Sequence, residues 1–442
     1  MTRRLRVLMI AEAANPEFVS VPLVGWSVCA AMRQLHDVHI VTQVRNREAF
    51  LRAGLIEGQD FTAIDSERLA APLWKLATFL RMGEGKGWTT LQAISALSYG
   101  YFERLLWRAF RQRIASGEFD VVHRVTPLTP TVSSAVAAKV AACGVPFVMG
   151  PLNGGVPWPR GFDRERRRER EWLSYIRNIY KLAPGRKRTL ASAAAIIVGS
   201  RHTESEIPAA HRARCVYIPE NAVDLARFNT RANPDDQTPL RVGFVGRLVP
   251  YKGADMLIEA AAPLLEDGRL RLEIIGDGPI RGELEALAER SGAGQVTFHG
   301  WVEHREVQRI LASCAVLGFP SIREFGGGVV LEAMAIGVVP LVVDYAGPGE
   351  LVGTQTGFKV PIGPRDAIIA GLQQRLAWLC ENPAAVRAAA AAGTALVASH
   401  FTWERKAEQI GEVYAWVLGE RAERPDPFRG LPDATGGGDS DR

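Results

Sequence analysis

Short apolar runs alternate with segments of helical periodicity along this chain, and the alternation starts twice. Leu5 to Ile10 and Val38 to Thr42 flank a helical segment containing Trp26 to Leu35, which is a β-α-β beginning. Further strands are expected at Val121–Val122, ending at His123, then at Pro146 to Met149 and at Ala195 to Val198. From Trp88 to Ile114 the apolar residues Leu91, Ile94, Leu97, Tyr101 and Leu105 recur at helical spacing. The series restarts with Val242 to Val245, Leu272 to Ile275, Val296 to His299, Val316 to Phe319 and Val339 to Val343. Continuous apolar strands separated by helices suit parallel sheets covered on both faces, and such sheets bind ligands beyond the carboxyl ends of their strands. At 442 residues the chain exceeds what one core supports, about 250 residues, so two α/β domains and a cleft are expected.

The segment Ile218 to Asp224 reads as the crossing, giving domains 1–217 and 218–400. Phe401-Thr402-Trp403-Glu404 opens a last helix reaching about Leu418, with Thr402 as its N-cap, and residues 401–420 are expected to return to the first domain. Residues 421–442 carry Pro, Gly, Asp and Arg with little to bury and are expected to be disordered.

No run approaches the roughly 20 apolar residues that cross a bilayer, and a buried first strand explains MTRRLRVLMIAEA better than a signal peptide. Cys29, Cys143, Cys215, Cys314 and Cys380 form no CxxC or Cys/His cluster, so they read as core thiols in a reducing, cytoplasmic compartment. The net charge of +5 is local. Arg160 to Arg188 holds eleven Arg or Lys against four Asp or Glu, an excess of seven, and the remainder is slightly acidic.

Two segments carry chemistry. In Ser321 to Ala335 a strand, a glycine turn (Gly326, Gly327, Gly328) and a helix start occur together, with Glu324 before the turn and Glu332 two turns into the helix. Glycines let backbone amides approach a ligand, and a helix N-terminus favours an anion. The plainer alternative is a glycine-rich connection with two solvated glutamates. In Val245 to Gly253, Gly246 ends a strand and the cations Arg247 and Lys252 lie five residues apart, able to flank a diphosphate through charge-assisted hydrogen bonds. For either cation alone, a surface charge is the more common explanation.

Together these segments resemble the retaining glycosyltransferases of family four, also called glycosyltransferase group 1. The resemblance spans nearly all of the chain outside the tail and is densest from Asn221 to Glu350. It includes Asn221-Ala222-Val223-Asp224 with Phe228, Ile275-Gly276-Asp277-Gly278-Pro279, Phe298-His299-Gly300-Trp301 and Gly347-Pro348-Gly349-Glu350. It implies the GT-B fold, an α/β arrangement of two facing doubly wound Rossmann-like domains with a central cleft. It also implies a nucleoside diphosphate sugar donor and a glycan or lipid-linked glycan acceptor. Arg247 and Lys252 would hold the diphosphate and stabilise it as it leaves, Glu324 would contact the transferred sugar, and Glu332 would accept from the ribose hydroxyls. Amides at Gly327 and Gly328 would support sugar or phosphate. The family often has an aromatic residue where this chain has Gly326, with Phe325 one place earlier, and a histidine where this chain has Val125. His123 is then the remaining histidine candidate on that strand, while Gly25 and the loop Asn153-Gly154-Gly155 resemble the cleft-facing glycine turns. No cofactor and no metal are implied, and the lone Asp-x-Asp, Asp439-Ser440-Asp441, falls in the tail.

The basic segment interleaves Trp172, Leu173, Tyr175, Ile176, Ile179 and Tyr180 with its cations. It reads either as a helix resting on an anionic membrane surface or as a core-packed helix with a solvated face. Nucleic acid is disfavoured because no binding module accompanies the patch. Two other functions compete. A dinucleotide-dependent oxidoreductase lacks its fingerprint, since Gly276 to Gly282 is not G-x-G-x-x-G. A non-catalytic sugar-nucleotide binder shares every motif and differs only in turnover.

Overall fold

In the computed structural model the alternation becomes two all-parallel sheets. Residues 3–67, 88–168, 184–228, 230–232, 238–291 and 294–430 are described. The first sheet contains β1 (Arg6–Ala11), β2 (Asp37–Gln43), β3 (Phe61–Ile64), β4 (Val121–Thr126), β5 (Phe147–Leu152), β6 (Ala195–Val198) and β7 (Cys215–Tyr217), in the order β3-β2-β1-β4-β5-β6-β7. The second contains β8 (Leu240–Val245), β9 (Leu270–Ile275), β10 (Val296–Gly300), β11 (Val316–Phe319), β12 (Val339–Asp344) and β13 (Phe358–Pro361), in the order β10-β9-β8-β11-β12-β13. Each sheet reverses its strand order once, between β1 and β4 and between β8 and β11. Such a switch point opens a crevice at the strand ends because the flanking connections go to opposite faces.

Neither half of the molecule is a single stretch of chain. One unit comprises the described residues of Met1–Gly155, Arg170–Glu220 and Trp403–Pro427, and the other those of Val156–Glu169, Asn221–Thr402 and Phe428–Arg442. In the first unit Val7, Met9 and Ala11 of β1 share a core with Val28, Cys29 and Met32 of the helix Val21–Leu35 and with Ala407, Ile410, Val413 and Tyr414 of the helix Trp403–Val417. Fully burying such side chains contributes about 1.5–3 kcal/mol each, so the last helix is an integral part of a core begun four hundred residues earlier. In the second unit β11, β12 and the helix Gly328–Ile336 are almost wholly buried, with Val330, Leu331, Ala333 and Met334 at no more than 1% exposure.

Several expectations need correction. Strand β4 does not stop at His123 but continues to Thr126, because Arg124 and Thr126 are polar yet fully buried. Arg124 donates from Nη1 to the Val132 carbonyl, 2.9 Å, and its guanidinium lies over the Tyr99 ring. Strands β3, β7 and β13 were not anticipated, being short or edge elements with mixed polarity. The helix Trp88–Ala115 buries Tyr99, Phe102, Leu106, Phe110 and Ile114, whereas Tyr101 and Leu105 are only half-buried. Residues 421–430 are not structureless. Arg421 pairs with Glu412, Arg424 donates to the Cys215 carbonyl, and Phe428 is buried against Phe401. The apolar residues of the basic segment, residues 431–442 and the side chains of Leu91, Ile94 and Leu97 lie outside the described residues. Among the described residues no helix is long and apolar enough to cross a membrane.

Candidate active site

The second unit's switch point is where its charged loops meet. Strand β8 is followed by Gly246, whose amide donates to the Ile275 carbonyl, 3.0 Å, at the end of the adjacent strand. The next turn is just as close, since a Cβ on Gly276 would sit 2.0 Å from the Gly246 carbonyl oxygen, so only glycine lets the two strand ends touch. Arg247 follows, exposed, with no side-chain partner among the described residues. The short 3-10 turn Pro250–Lys252 then leads through Gly253 into the helix Ala254–Glu266.

On the other side of the switch point, β11 runs into Pro320 and Ser321. The Ile322 amide donates to the Tyr251 carbonyl, 3.0 Å, tying this loop to the first. Lys252 and Glu324 form an ion pair across the two loops, with side chains only 17% and 19% exposed. The Lys252 ammonium also lies 5.1 Å above the Phe319 ring. Gly327 adopts φ +59°, where a side chain would be strained and would meet Leu351 at 3.1 Å and Pro348 at 3.3 Å. That left-handed turn starts the helix Gly328–Ile336, and the Asn221 side chain lies 3.5 Å from where a Cβ on Gly328 would be. Gly326 is half-buried beside it.

Glu332 lies about one turn into this helix, not the two expected, because the helix starts only at Gly328, and it has a different surrounding. His304 Nε2 is 3.6 Å from Glu332 Oε1, and the His304 ring meets Phe228 edge to face with centroids 5.2 Å apart. Loss of water pushes the Glu332 carboxyl up to about 7, against the opposing pull of Arg227. The His304 pKa is lowered, by burial first and by Arg227 second. His304 and Arg227 did not emerge from the sequence, because neither lies in a glycine turn or at a strand end.

In the first unit the candidates behave differently. His123 is fully buried in mid-strand. Its Nδ1 is 2.6 Å from the Tyr414 hydroxyl and its Nε2 is 2.8 Å from the Gly150 carbonyl, which fits a neutral ring donating from Nε2 and accepting at Nδ1. Burial lowers its pKa to about 4. Both ring nitrogens are therefore engaged by protein groups, and the ring is closed to solvent. Gly25 marks a close approach at the β1/β4 switch point, since a Cβ there would meet the Ala13 carbonyl oxygen at 2.3 Å. The Gly154 amide donates to Thr203 Oγ1, 2.8 Å, and the Asn153 backbone amide donates to the Leu128 carbonyl, 2.7 Å. Neither polar atom of the buried Asn153 side chain has a hydrogen-bond partner among the described residues. Among the described residues no group of three or more His, Cys, Asp or Glu could hold a metal ion.

Trp158 was not expected at this site, yet it belongs to the second unit by its contacts. Its ring stands edge to face with Tyr251, centroids 6.1 Å apart at 90°, and the Arg323 guanidinium lies 5.1 Å above it. The signal in the sequence was Pro157-Trp158-Pro159, a large aromatic fixed between two prolines in a loop without periodicity.

Two parallel sheets with alternating helices, each with one reversal of strand order, make this a two-domain α/β protein with the GT-B fold. Comparison with known proteins supplies the family. Glycosyl transferase 4-like domain matches residues 24–221, and Glycosyl transferases group 1 matches residues 227–399. The chain belongs to these group 1, family-four-type glycosyltransferases. It is 30% identical over 189 residues to 2-deoxystreptamine glucosyltransferase of Streptomyces kanamyceticus, covering 42% of this chain and 48% of that one. It is 32% identical over 215 residues to glycogen synthase of Mycobacterium tuberculosis, covering 48% and 51%. A mannosyltransferase of Corynebacterium glutamicum, named as GDP-mannose-dependent and acting on a monoacylated phosphatidylinositol monomannoside, is 29% identical over 211 residues, covering 44% and 54%. The chain thus spans about half the length of the curated relatives it matches. Among solved structures, a glycosyltransferase from Rickettsia africae has a TM-score of 0.60 at 13% identity, covering 95% of this chain and all of that one. Anabaena HepE in complex with UDP has a TM-score of 0.60 at 16% identity, covering 93% and 100%.

Proposed function

We propose that this chain moves a hexose-like unit from a nucleoside diphosphate sugar to a glycan or lipid-linked glycan, with retention of anomeric configuration and without metal or cofactor. The observation that carries the reading is the Lys252–Glu324 pair at the β8/β11 reversal, with the guanidinium of Arg247 unengaged on the same loop as Lys252. Lys252 and Arg247 take the donor diphosphate, which displaces Glu324 onto the sugar hydroxyls. Glu332, beside His304, accepts from the ribose, and the amides of Gly327 and Gly328 complete the anion's hydrogen bonds.

In the transfer step the bond from the sugar C1 to the phosphate oxygen breaks while the acceptor hydroxyl oxygen bonds C1 on the same face. The hydroxyl proton passes to the departing phosphate oxygen. The two cations stabilise the charge that develops there, and charge preorganised in this way is usually the main source of rate enhancement. In the first unit the Asn153 side-chain amide, which has no hydrogen-bond partner among the described residues, and Gly154 support a place for the acceptor at the end of β5. A lipid-linked acceptor would be met at the cytoplasmic face of an anionic membrane through residues 160–188. Failure to float with anionic liposomes at low salt would sink that contact.

The deciding experiment is a thermal-shift screen against UDP, GDP and ADP sugars, since a ligand bound only to the folded state raises Tm. It is followed by analysis of the product's anomeric configuration. No stabilisation by any of the donors overturns the reading. Stabilisation without turnover leaves a sugar-nucleotide binder.

A further inference from the structure

Lys252 and Glu324 sit on separate loops, and what fixes the distance between those loops is not contained in either of them. The Ile322 amide donates to the Tyr251 carbonyl, 3.0 Å, and ties the two loops directly, reinforced by Ser321 Oγ on the same carbonyl, 3.3 Å. Over that tie lies a third piece of chain, residues 156–168. Val156 and Phe162 anchor it, 2% and 1% exposed, and Tyr345 donates its hydroxyl to the Pro157 carbonyl, 2.8 Å. Between the anchors the Trp158 ring stands perpendicular to Tyr251 and carries Arg323 over it, and Arg323 also leans on Phe325, 5.8 Å. Tyr251 precedes Lys252 and Arg323 precedes Glu324. One indole therefore holds the immediate neighbours of both members of the ion pair.

Resting on the donor-site reading above for its catalytic consequence, we infer that residues 156–162 are a positioning strap for the donor site, with Trp158 as the residue that sets the spacing of Lys252 and Glu324. The physical basis is a pair of directional contacts made by one ring. An edge-to-face aromatic pair sets the positive edge of one ring against the negative face of the other, and a guanidinium is drawn to the centre of an indole face by the same quadrupole. Each contact restrains one loop, and the shared ring makes the restraints interdependent. Trp158 contributes rigidity to the site without being a catalytic residue.

The test compares the full-length wild type with Trp158→Ala and Trp158→Phe. In the ligand-free proteins, amide hydrogen exchange is followed in peptides covering 250–253 and 321–327. Trp158→Ala accelerates exchange in both peptides while Tm and exchange in β8 and β11 stay at wild-type values, and Trp158→Phe restores slow exchange. With the donor found in the thermal-shift screen, Trp158→Ala lowers kcat by about 100-fold, the scale expected when a catalytic group is misplaced by about 1 Å, with KM changed less than threefold. Unchanged exchange in both peptides overturns the strap, and so does loosening spread over the whole unit, which means ordinary core packing. A wild type that turns over no nucleoside diphosphate sugar would refute the transferase reading instead, and the exchange result still decides the strap.

Discussion

The two units are built to one plan and use it in opposite ways. Each is a parallel sheet with a single reversal of strand order, and each has a glycine at that reversal where a Cβ would strike a backbone oxygen within 2.5 Å, Gly25 in one and Gly253 in the other. In the second unit the tight turns free the following residues, so Arg247, Lys252 and Glu324 emerge at the strand ends with their charges partly in water. In the first unit β4 continues past His123 and draws the polar residues inward, where protein groups engage them. A charged or titratable residue near a strand end is thus available for chemistry only if the strand actually stops before it.

The contrast breaks first, and by the largest margin, at the cations. Arg247→Ala and Lys252→Ala are each expected to lower kcat by about 10²- to 10³-fold, the usual consequence of removing one group that stabilises developing negative charge, with far-ultraviolet dichroism unchanged. Normal kcat/KM in both variants would place the diphosphate elsewhere.

His123→Phe should do the reverse. It leaves the Gly150 carbonyl and the Tyr414 hydroxyl without their partner, at a cost of about 1–3 kcal/mol read by urea unfolding, while turnover per folded molecule stays within about threefold of wild type. A large fall in kcat at unchanged stability would return the ring to the reaction.

The smallest effect sharpens the comparison within the second unit. Because the Glu332 carboxyl is raised to about 7, the native state holds its proton more tightly than the unfolded chain does. Stability therefore falls as pH rises from the ordinary carboxyl range through about 7, and the penalty is complete above that. The side chain keeps 30% of its surface in water, which screens the carboxylate and reduces the penalty. Glu332→Gln removes a penalty of about 1 kcal/mol, so at pH 8 the ligand-free variant should melt about 2–4 °C higher than wild type, with the difference gone near pH 4. Its donor KM should rise at pH 8. If the melting difference were the same at both pH values, the carboxyl would be titrating normally.

Much of the fold was legible because the central strands are continuously apolar: β6 and β11 lie where their Ile, Val, Leu and Phe runs put them. Edge strands were not, since Cys215-Val216-Tyr217 and Phe358-Lys359-Val360-Pro361 offer little burial pattern in isolation. The end of β4 was misplaced for a related reason. Arg124 reads as a surface residue until Tyr99 and the Val132 carbonyl are brought to it from distant parts of the chain. The candidate donor residues were visible because glycines, cations and carboxylates crowd into two short local segments. Trp158, His304 and Arg227 act through neighbours far along the chain, and no local pattern announces such partners.

The helix Trp403–Val417 has a consequence for how the protein is made. Its residues Ala407, Ile410, Val413 and Tyr414 complete a core whose other members precede residue 220. At ribosomal speeds of roughly 5–20 residues per second, the nascent amino-terminal sheet waits about 10–40 s between emergence of its last strand and arrival of the helix that covers it. The second sheet can close on itself within that interval. A premature stop before residue 403 would therefore release a chain whose later-made half is nearly complete and whose earlier-made half is open and prone to aggregate.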